Sequence, residues 1–322
     1  MKKKLMTVLA LALVLVLVLG ACAGGGGGQE VRMIMATGGT AGTYYPLGGA
    51  MAGVITNHTD LHVTINASGA SADNIQQIGA GDAHIALAQN DVMYYAFTGT
   101  SIWAERPPVT NIATLMTLYP ETVQIVVLAD SGIYSVADLA GRRVSVGDVG
   151  SGVNANATQV LAAHGLTMSD INEFNLGFGS SADAMRDGMI DAFFVTAATP
   201  NTAIQELSVS RDIRLLNIAD DVIAALIADY PFYVRVVVDS SDYAWLAEPV
   251  VTVAVQATLI ASTDMDEQHA FDIVRSLIEN AAEVEQGHAR GAYITAENAV
   301  QSISVPFHPG AERFFREIGA LP

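Results

Sequence analysis

Lysine is almost absent from this chain. Its three copies are Lys2, Lys3 and Lys4, and every later cationic side chain is arginine or histidine. That excludes a Schiff-base lysine and the lysine of a phosphate-binding loop. Cysteine occurs once, at Cys22, so no disulfide can form within the chain. Clustered basic charge is missing too, and the formal net charge is −18. Duplex or single-stranded nucleic acid needs Lys and Arg to meet its phosphates, so a nucleic-acid partner is excluded. No G-x-S-x-G marks a hydrolase elbow. The seven histidines are scattered. His58 and His62 stand four apart, but Thr59 and Asp60 fall between them, where a helix should stop. Asp264–Glu267 is acidic, yet it lacks the glycine and terminal glutamate of a calcium loop and reads as a helix start. The expectation is a protein with no cofactor and no metal, and not an enzyme.

What is present begins with a leader. The basic triplet precedes an apolar run from Leu5 to Leu19, shorter than the roughly 20 residues that span a bilayer. Such a run suits a signal-peptide core. Leu19-Gly20-Ala21-Cys22 resembles a bacterial lipobox, in which the cysteine is lipidated and becomes the new N-terminus. Residues 1–22 are read as a lipoprotein signal peptide and 23–29 as a glycine-rich tether. The mature protein is thus expected to be extracytoplasmic, held to the outer face of a membrane through Cys22.

The 322 residues that follow this plan are enough for about two domains at ~150 residues each. From Val31 the order is strand (VRMIMA), Gly/Thr loop, helix from Pro46 to His58, strand (LHVTINA), Ser-Ala-Asp loop, short helix, and strand (DAHIALAQ). From Arg143 the same order returns: RVSVG, a Gly/Ser/Asn loop, a helix from Asn154 to His164 stopped by Gly165, INEFNLG, the loop FGSSAD, a short helix, and DAFFVTA. Even the spelling repeats, SADNIQQIGAGDAHIAL against SADAMRDGMIDAFFV. Thr37 to Asp82 spans 45 positions and Gly147 to Asp191 spans 44. This is an α/β pattern: two lobes, each a mostly parallel sheet covered by helices. Thr117–Ala129 and Val250–Ser262 read as strands that cross between the lobes as a hinge. The predicted lobes are 30–120 with 256–322, and 121–255. Residues from Thr263 onward are read as helices packed on the first.

Ligands of parallel sheets sit beyond the carboxyl ends of the strands, where the glycine-rich loops fall. Loops that open helices favour an anion, through free N–H groups and the helix dipole. GGTAG lacks dinucleotide spacing, so a compact carboxylate suits these loops better than a nucleotide. Candidate neutral donors are Thr40, Thr43 and Tyr44 in one lobe, and Ser151, Asn154 and Asn156 in the other. The strand ends add Gln89-Asn90-Asp91, and Thr196 to Asn201 with Pro200 among them. Asp91 is either an ammonium partner at the cleft mouth or a cap for the helix VMYYAFTG.

Several stretches are similar to the TRAP-transporter-associated extracytoplasmic immunogenic (TAXI) family of solute-binding proteins. They are TGGTAGTYYPLGG, ASGASADN, AQND followed by VMYYA, GDVGSGVNANATQVLAAHGL, DAFFVTAATPN and FHPGAERFFREIG. The resemblance implies a periplasmic clamshell, monomeric, that delivers a small organic solute to the membrane subunits of a TRAP transporter. Family ligands include glutamate-like amino acids and dicarboxylates. The family's pocket, carried over, implicates Gly38, Gly39, Thr40, Thr43 and Tyr44; Ser68; Gln89 and Asp91; and Ser151, Gly152 and Asn154. Many members have an acidic residue where this chain has Asn154. The alternatives are a receptor for an ABC importer or a sensor kinase, or an extracytoplasmic enzyme on the same scaffold.

Overall fold

Long apolar runs and short polar loops alternate along the chain, and in the computed structural model, which describes residues 31–322, they build one mixed sheet with helices on both faces. The leader, Cys22 and the whole tether lie outside the described residues. The first half contributes β1 (Val31–Ala36), α1 (Tyr44–His58), β2 (Leu61–Asn66), α2 (Ser71–Ala80), β3 (Ile85–Gln89) and α3 (Asn90–Thr98). A 17-residue strand, β4 (Ile112–Leu128), leads onward. The second half has β5 (Arg143–Ser145), α4 (Gly152–Ala163), β6 (Asn172–Phe174), α5 (Phe178–Arg186) and β7 (Ala192–Ala197). After these come α6 (Thr202–Ser210), β8 (Ile213–Leu215), α7 (Asp220–Asp229) and β9 (Val234–Val238). The return strand is β10 (Val250–Ser262), followed by α8 (Glu267–Glu279), α9 (Ala281–Gly287), α10 (Ala296–Ala299) and α11 (Pro309–Glu317).

The repeat read from the residues is present in the topology. The strand order is β2-β1-β3-β10-β4-β7-β5-β6. Read from either end, a second strand, a first strand and a third strand lead to one long antiparallel neighbour. β1 pairs parallel with β3, and β5 pairs parallel with both β7 and β6. β10 runs antiparallel to β3 and β4, and β4 antiparallel to β7. Arg32–Pro322 form a single compact unit, so both halves belong to one body.

The continuous apolar character of β4 follows from burial on both faces. Val123, Ile125 and Val127 join one core with Ala192 and Phe194. Val126 joins another with Phe193, Val195 and Ala197. That is the period-two alternation of a strand covered above and below. At its middle β4 carries Pro120, opposite Gln256 of β10, where the register shifts between Gln256 and Thr258. Proline gives no N–H to a ladder, and a shift of register marks a bulge. The Gln256 N–H donates instead to Asn90 Oδ1 at 3.1 Å. The pairing of the two long strands shifts register here and again between Leu259 and Ile260.

Several helix starts differ from the reading of the residues, with the Ser-Ala-Asp loop at 71–73 already inside α2. α1 opens at Tyr44 rather than Pro46, and α4 at Gly152 rather than Asn154. FGSSAD, read as a loop, is the first part of α5, and the loop ends at Gly177. Ser, Gly and Asp favour turns and helix starts alike, so composition alone shifts the boundary outward. Of the C-terminal helices, α8 and α9 lie on α1, and α11 lies on α8 and β4. Asp266 caps α8, its Oδ1 accepting from the N–H groups of Gln268 and His269 at 2.8 and 3.1 Å. His58 Nε2 lies 3.0 Å from a carboxylate oxygen of Glu283. Among the described residues no helix is long and apolar enough to cross a membrane, and no cluster of His, Cys, Asp or Glu is placed to hold a metal.

Candidate functional site

A cavity of about 240 Å³ opens between the two halves. At ~30 Å³ per water this is room for about eight waters, which fits a small organic molecule and is cramped for a dinucleotide. Its walls come from both halves. Gly38–Tyr44 form one side, Ser68–Ser71 the next, and Gln89 and Glu121 the sheet end. Gly147, Asp148 and Ser151–Val153 face them, with Gly177–Ser180 and Thr196 completing the second half.

Four helices begin at this cavity: α1 at Tyr44, α2 at Ser71, α4 at Gly152 and α5 at Phe178. The first N–H groups of a helix have no partner within it, and the dipole adds about half a positive charge at that end. No lysine, arginine or histidine lines the cavity. Its attraction for an anion therefore comes from main chain and hydroxyl groups. Ser151 Oγ caps α4 by accepting the Asn154 N–H at 3.1 Å, which leaves its own O–H free to donate. Two further polar atoms of the wall, Gln89 Oε1 and Thr196 Oγ1, have no hydrogen-bond partner in the protein, although both side chains are buried.

The halves touch closely here. A Cβ built on Gly152 would lie 2.1 Å from Gln89 Oε1, so only glycine permits α4 to start against the end of β3. Asn201 Nδ2 reaches Ala41 O at 3.4 Å, and Gly179 abuts Ala41.

The first-half loops are fastened by a residue the sequence did not single out. Asn74, fully buried on α2, donates from Nδ2 to Thr37 O at 2.6 Å and to Leu87 O at 2.7 Å, and its Oδ1 accepts from Ser68 Oγ at 2.6 Å. Three strand ends and loops thus meet on one amide. Replacing Asn74 by Ala leaves two buried carbonyls without a partner, at about 1–3 kcal/mol each. We expect Asn74→Ala to lower unfolding free energy by about 2–4 kcal/mol in urea melts.

Of the residues selected from sequence, Gly38, Gly39, Thr40, Thr43, Tyr44, Ser68, Gln89, Ser151, Gly152 and Thr196 surround the cavity. Asp91, Asn154, Asn156 and Pro200 do not. Asn154 lies one turn into α4, where its N–H serves the Ser151 cap, and Pro200 is exposed beyond β7. Asp91, read as either an ammonium partner at the mouth or a cap for the helix after it, lies in the first turn of α3, buried between α3 and α4. Asn156 Nδ2 donates to its Oδ2 at 3.0 Å and also reaches Tyr233 at 2.8 Å, and Tyr233 donates to Gln159 at 2.6 Å. Burial in this neutral network pushes the Asp91 carboxyl up to about 6. Passing from strand at Gln89 to helix at Asp91 turns the second side chain away from the cavity.

Among the wall residues missed from sequence is Glu121. It is 3 % exposed, on β4 where the halves join, and accepts the Tyr44 hydroxyl at 2.7 Å. Desolvation pushes its carboxyl up to about 8, against the lowering effect of the Tyr44 hydrogen bond. Tyr44, chosen as a donor for a ligand, spends its hydroxyl on Glu121. A signal was available: Glu121 is the one charged residue in the 17 of β4.

Solved structures share this architecture. The periplasmic binding protein BugD aligns over 90 % of this chain and 95 % of its own, at TM-score 0.58 and 10 % identity. XAC2383 from Xanthomonas citri, bound to ATP, aligns over 90 % and 96 % at TM-score 0.52 and 11 % identity. The alkanesulfonate-binding protein SsuA from Xanthomonas axonopodis pv. citri, bound to MOPS, aligns over 91 % and 85 % at TM-score 0.49 and 15 % identity. The fold is the mixed α/β fold of periplasmic binding proteins. The model of the NMT1-like family matches residues 35–319, nearly the whole described chain, and the protein belongs to that family.

Proposed function

We propose that this protein is an extracytoplasmic solute-binding protein of the TAXI type, which captures a small organic solute between its halves and delivers it to TRAP transporter membrane subunits. Residues 30–120 with 256–322 form one lobe and 121–255 the other. β4 and β10 are the hinge, bending where Pro120 faces Gln256. Cys22 carries the lipid that keeps the protein near its partner. The solute is a glutamate-like amino acid or a dicarboxylate, and the protein returns it unchanged.

One observation carries this reading: four helix N-termini from both halves converge on one small cavity that has no cationic side chain. Such a site rewards closure, because a guest held by both halves stabilises only the closed form. The wall also has no histidine, cysteine or lysine to activate a hydroxyl, which favours binding over chemistry. Five of the six stretches that resemble the TAXI family contribute residues to this cavity, and FHPGAERFFREIG does not.

Thermal-shift screening of the mature protein against amino acids and dicarboxylates should give a ligand-dependent rise in Tm. Mass spectrometry should then recover the solute intact. Thr43→Ala and Ser151→Ala should each weaken binding about tenfold, the worth of one hydrogen bond to a charged group, and Ser151→Ala, which also removes the α4 cap, should lower the stability of the free protein by about 1 kcal/mol. Unchanged affinity in both variants would remove the cavity from consideration.

A further inference from the structure

Two carboxylates line the cavity, and they are not equivalent. Asp148 is exposed at the rim, where water solvates it at little cost. Glu121 is buried at the sheet end, with Tyr44 of α1 and Tyr119 of its own strand beside it. The other charges that reach this corner are Asp91 on α3, acting on Glu121 itself, and Arg290, acting on Tyr119. A buried carboxylate is normally paired with a basic side chain. Here the cavity wall supplies none.

We propose that Glu121 is the specificity-determining residue of this cavity, and that the solute it selects carries an ammonium group beside a carboxylate. The proposal rests on the reading of the cavity as the solute site. The helix starts hold the guest's carboxylate, and the guest brings the cation that Glu121 lacks. With both groups engaged the bound pair is neutralised without any basic residue, which fits a wall built from glycines, hydroxyls and one buried acid.

The consequence is a proton exchange with a definite sign. Without a cation, desolvation holds the Glu121 carboxyl near 8, so it is neutral at pH 7. An ammonium against it favours the ionised form, and the proton leaves to solvent as the guest enters. A guest with carboxylates alone would keep Glu121 protonated as a hydrogen-bond donor, and no proton would leave.

The test is isothermal titration calorimetry of the mature protein with the common L-amino acids and with their 2-oxo counterparts, in buffers of different ionisation enthalpy. The expected result is an amino acid that binds with release of about 0.9 proton at pH 7, from the fraction of a pKa 8 group that is protonated. Its dissociation constant should fall about tenfold per pH unit from pH 6 to 7 and level off above pH 8. Its 2-oxo counterpart should bind about 100-fold more weakly, since that guest leaves a buried acid unpaired. Glu121→Gln should cost the amino acid a similar factor, abolish proton release and flatten the pH profile, while leaving the 2-oxo acid no weaker. The proton count in the wild-type protein is read without any variant, so a misfolded Glu121→Gln would not decide the matter. A 2-oxo acid or dicarboxylate that binds as tightly, with no proton released, overturns the role of Glu121. The cavity reading survives that result if Ser151→Ala weakens the binding. Binding of neither set overturns both, as does binding indifferent to Ser151→Ala.

Discussion

Gly152→Ala is expected to hold the halves apart and to cost at least about 100-fold in solute affinity. The added Cβ falls 2.1 Å from Gln89 Oε1 and 2.3 Å from Gln89 Cδ, far inside contact distance. Gln89 is 2 % exposed, and the space open to its displaced amide is the cavity it lines, where the guest would sit. The clash lies between two halves rather than within one core. It is therefore relieved by a small rotation at the β4–β10 crossing, and each half keeps its fold. The affinity loss follows because a guest touching one half forgoes the contacts of the other, and two lost hydrogen bonds to a charged group amount to about 3 kcal/mol. Small-angle scattering of Gly152→Ala with saturating solute should give the larger radius of gyration of the open form, with an unchanged circular dichroism spectrum. Gln89→Ala in the same chain should restore closure, since it removes the atoms that the new methyl meets. The double variant should thus bind more tightly than Gly152→Ala alone, a coupling that independent effects would not produce.

How far the residues announce this arrangement depends on whether the signal is local. β10 is legible to its ends because thirteen β-rich residues stand between polar segments. The internal repeat is legible because both copies spell Ser-Ala-Asp, then Asp-Ala, at matching distances, with Ser-Ala-Asp on α2 and α5 and Asp-Ala leading into β3 and β7. The loops that line the cavity are legible because glycine and hydroxyl residues before a helix serve the N-terminus whether or not a ligand is present. Asp91 and Glu121 exchange roles for a reason no single stretch contains. Asp91 could be read as a mouth partner or as a helix cap, and only the fold shows that α4 supplies Asn156 and covers it. Glu121 sits inside an apolar strand, and only the approach of α1 brings Tyr44 to it across 77 positions. Asn74 escapes in the same way: its partners Thr37 and Leu87 lie on two strands that meet only in the folded sheet.

Glu121→Gln is expected to make the protein more stable at alkaline pH while impairing it as a binder. In the folded chain the Glu121 carboxyl is held at about 8, against an ordinary value of 4.5. The folded state therefore keeps a proton that the unfolded chain gives up between those values. Stability falls as pH rises through that window and is level above it, since the state that binds more protons is the one that alkali disfavours. Asp91 adds a slope of the same sign between its ordinary 3.8 and about 6. Glutamine keeps the shape of the protonated acid and still accepts the Tyr44 hydroxyl, but cannot ionise. At pH 8.5 the variant should exceed the wild type by on the order of 3 kcal/mol, or roughly 5–10 °C in Tm, and at pH 4.5 the two should coincide. Urea melts at both pH values measure the difference, and a gap independent of pH would show that burial does not govern Glu121. A chain under pressure for stability alone would carry glutamine or an apolar residue at this place in β4. Keeping an acid there costs free energy at neutral pH, and proteins retain such a cost where a site needs the charge. Stability and binding thus respond to this substitution with opposite signs, a combination that a purely structural glutamate would not give.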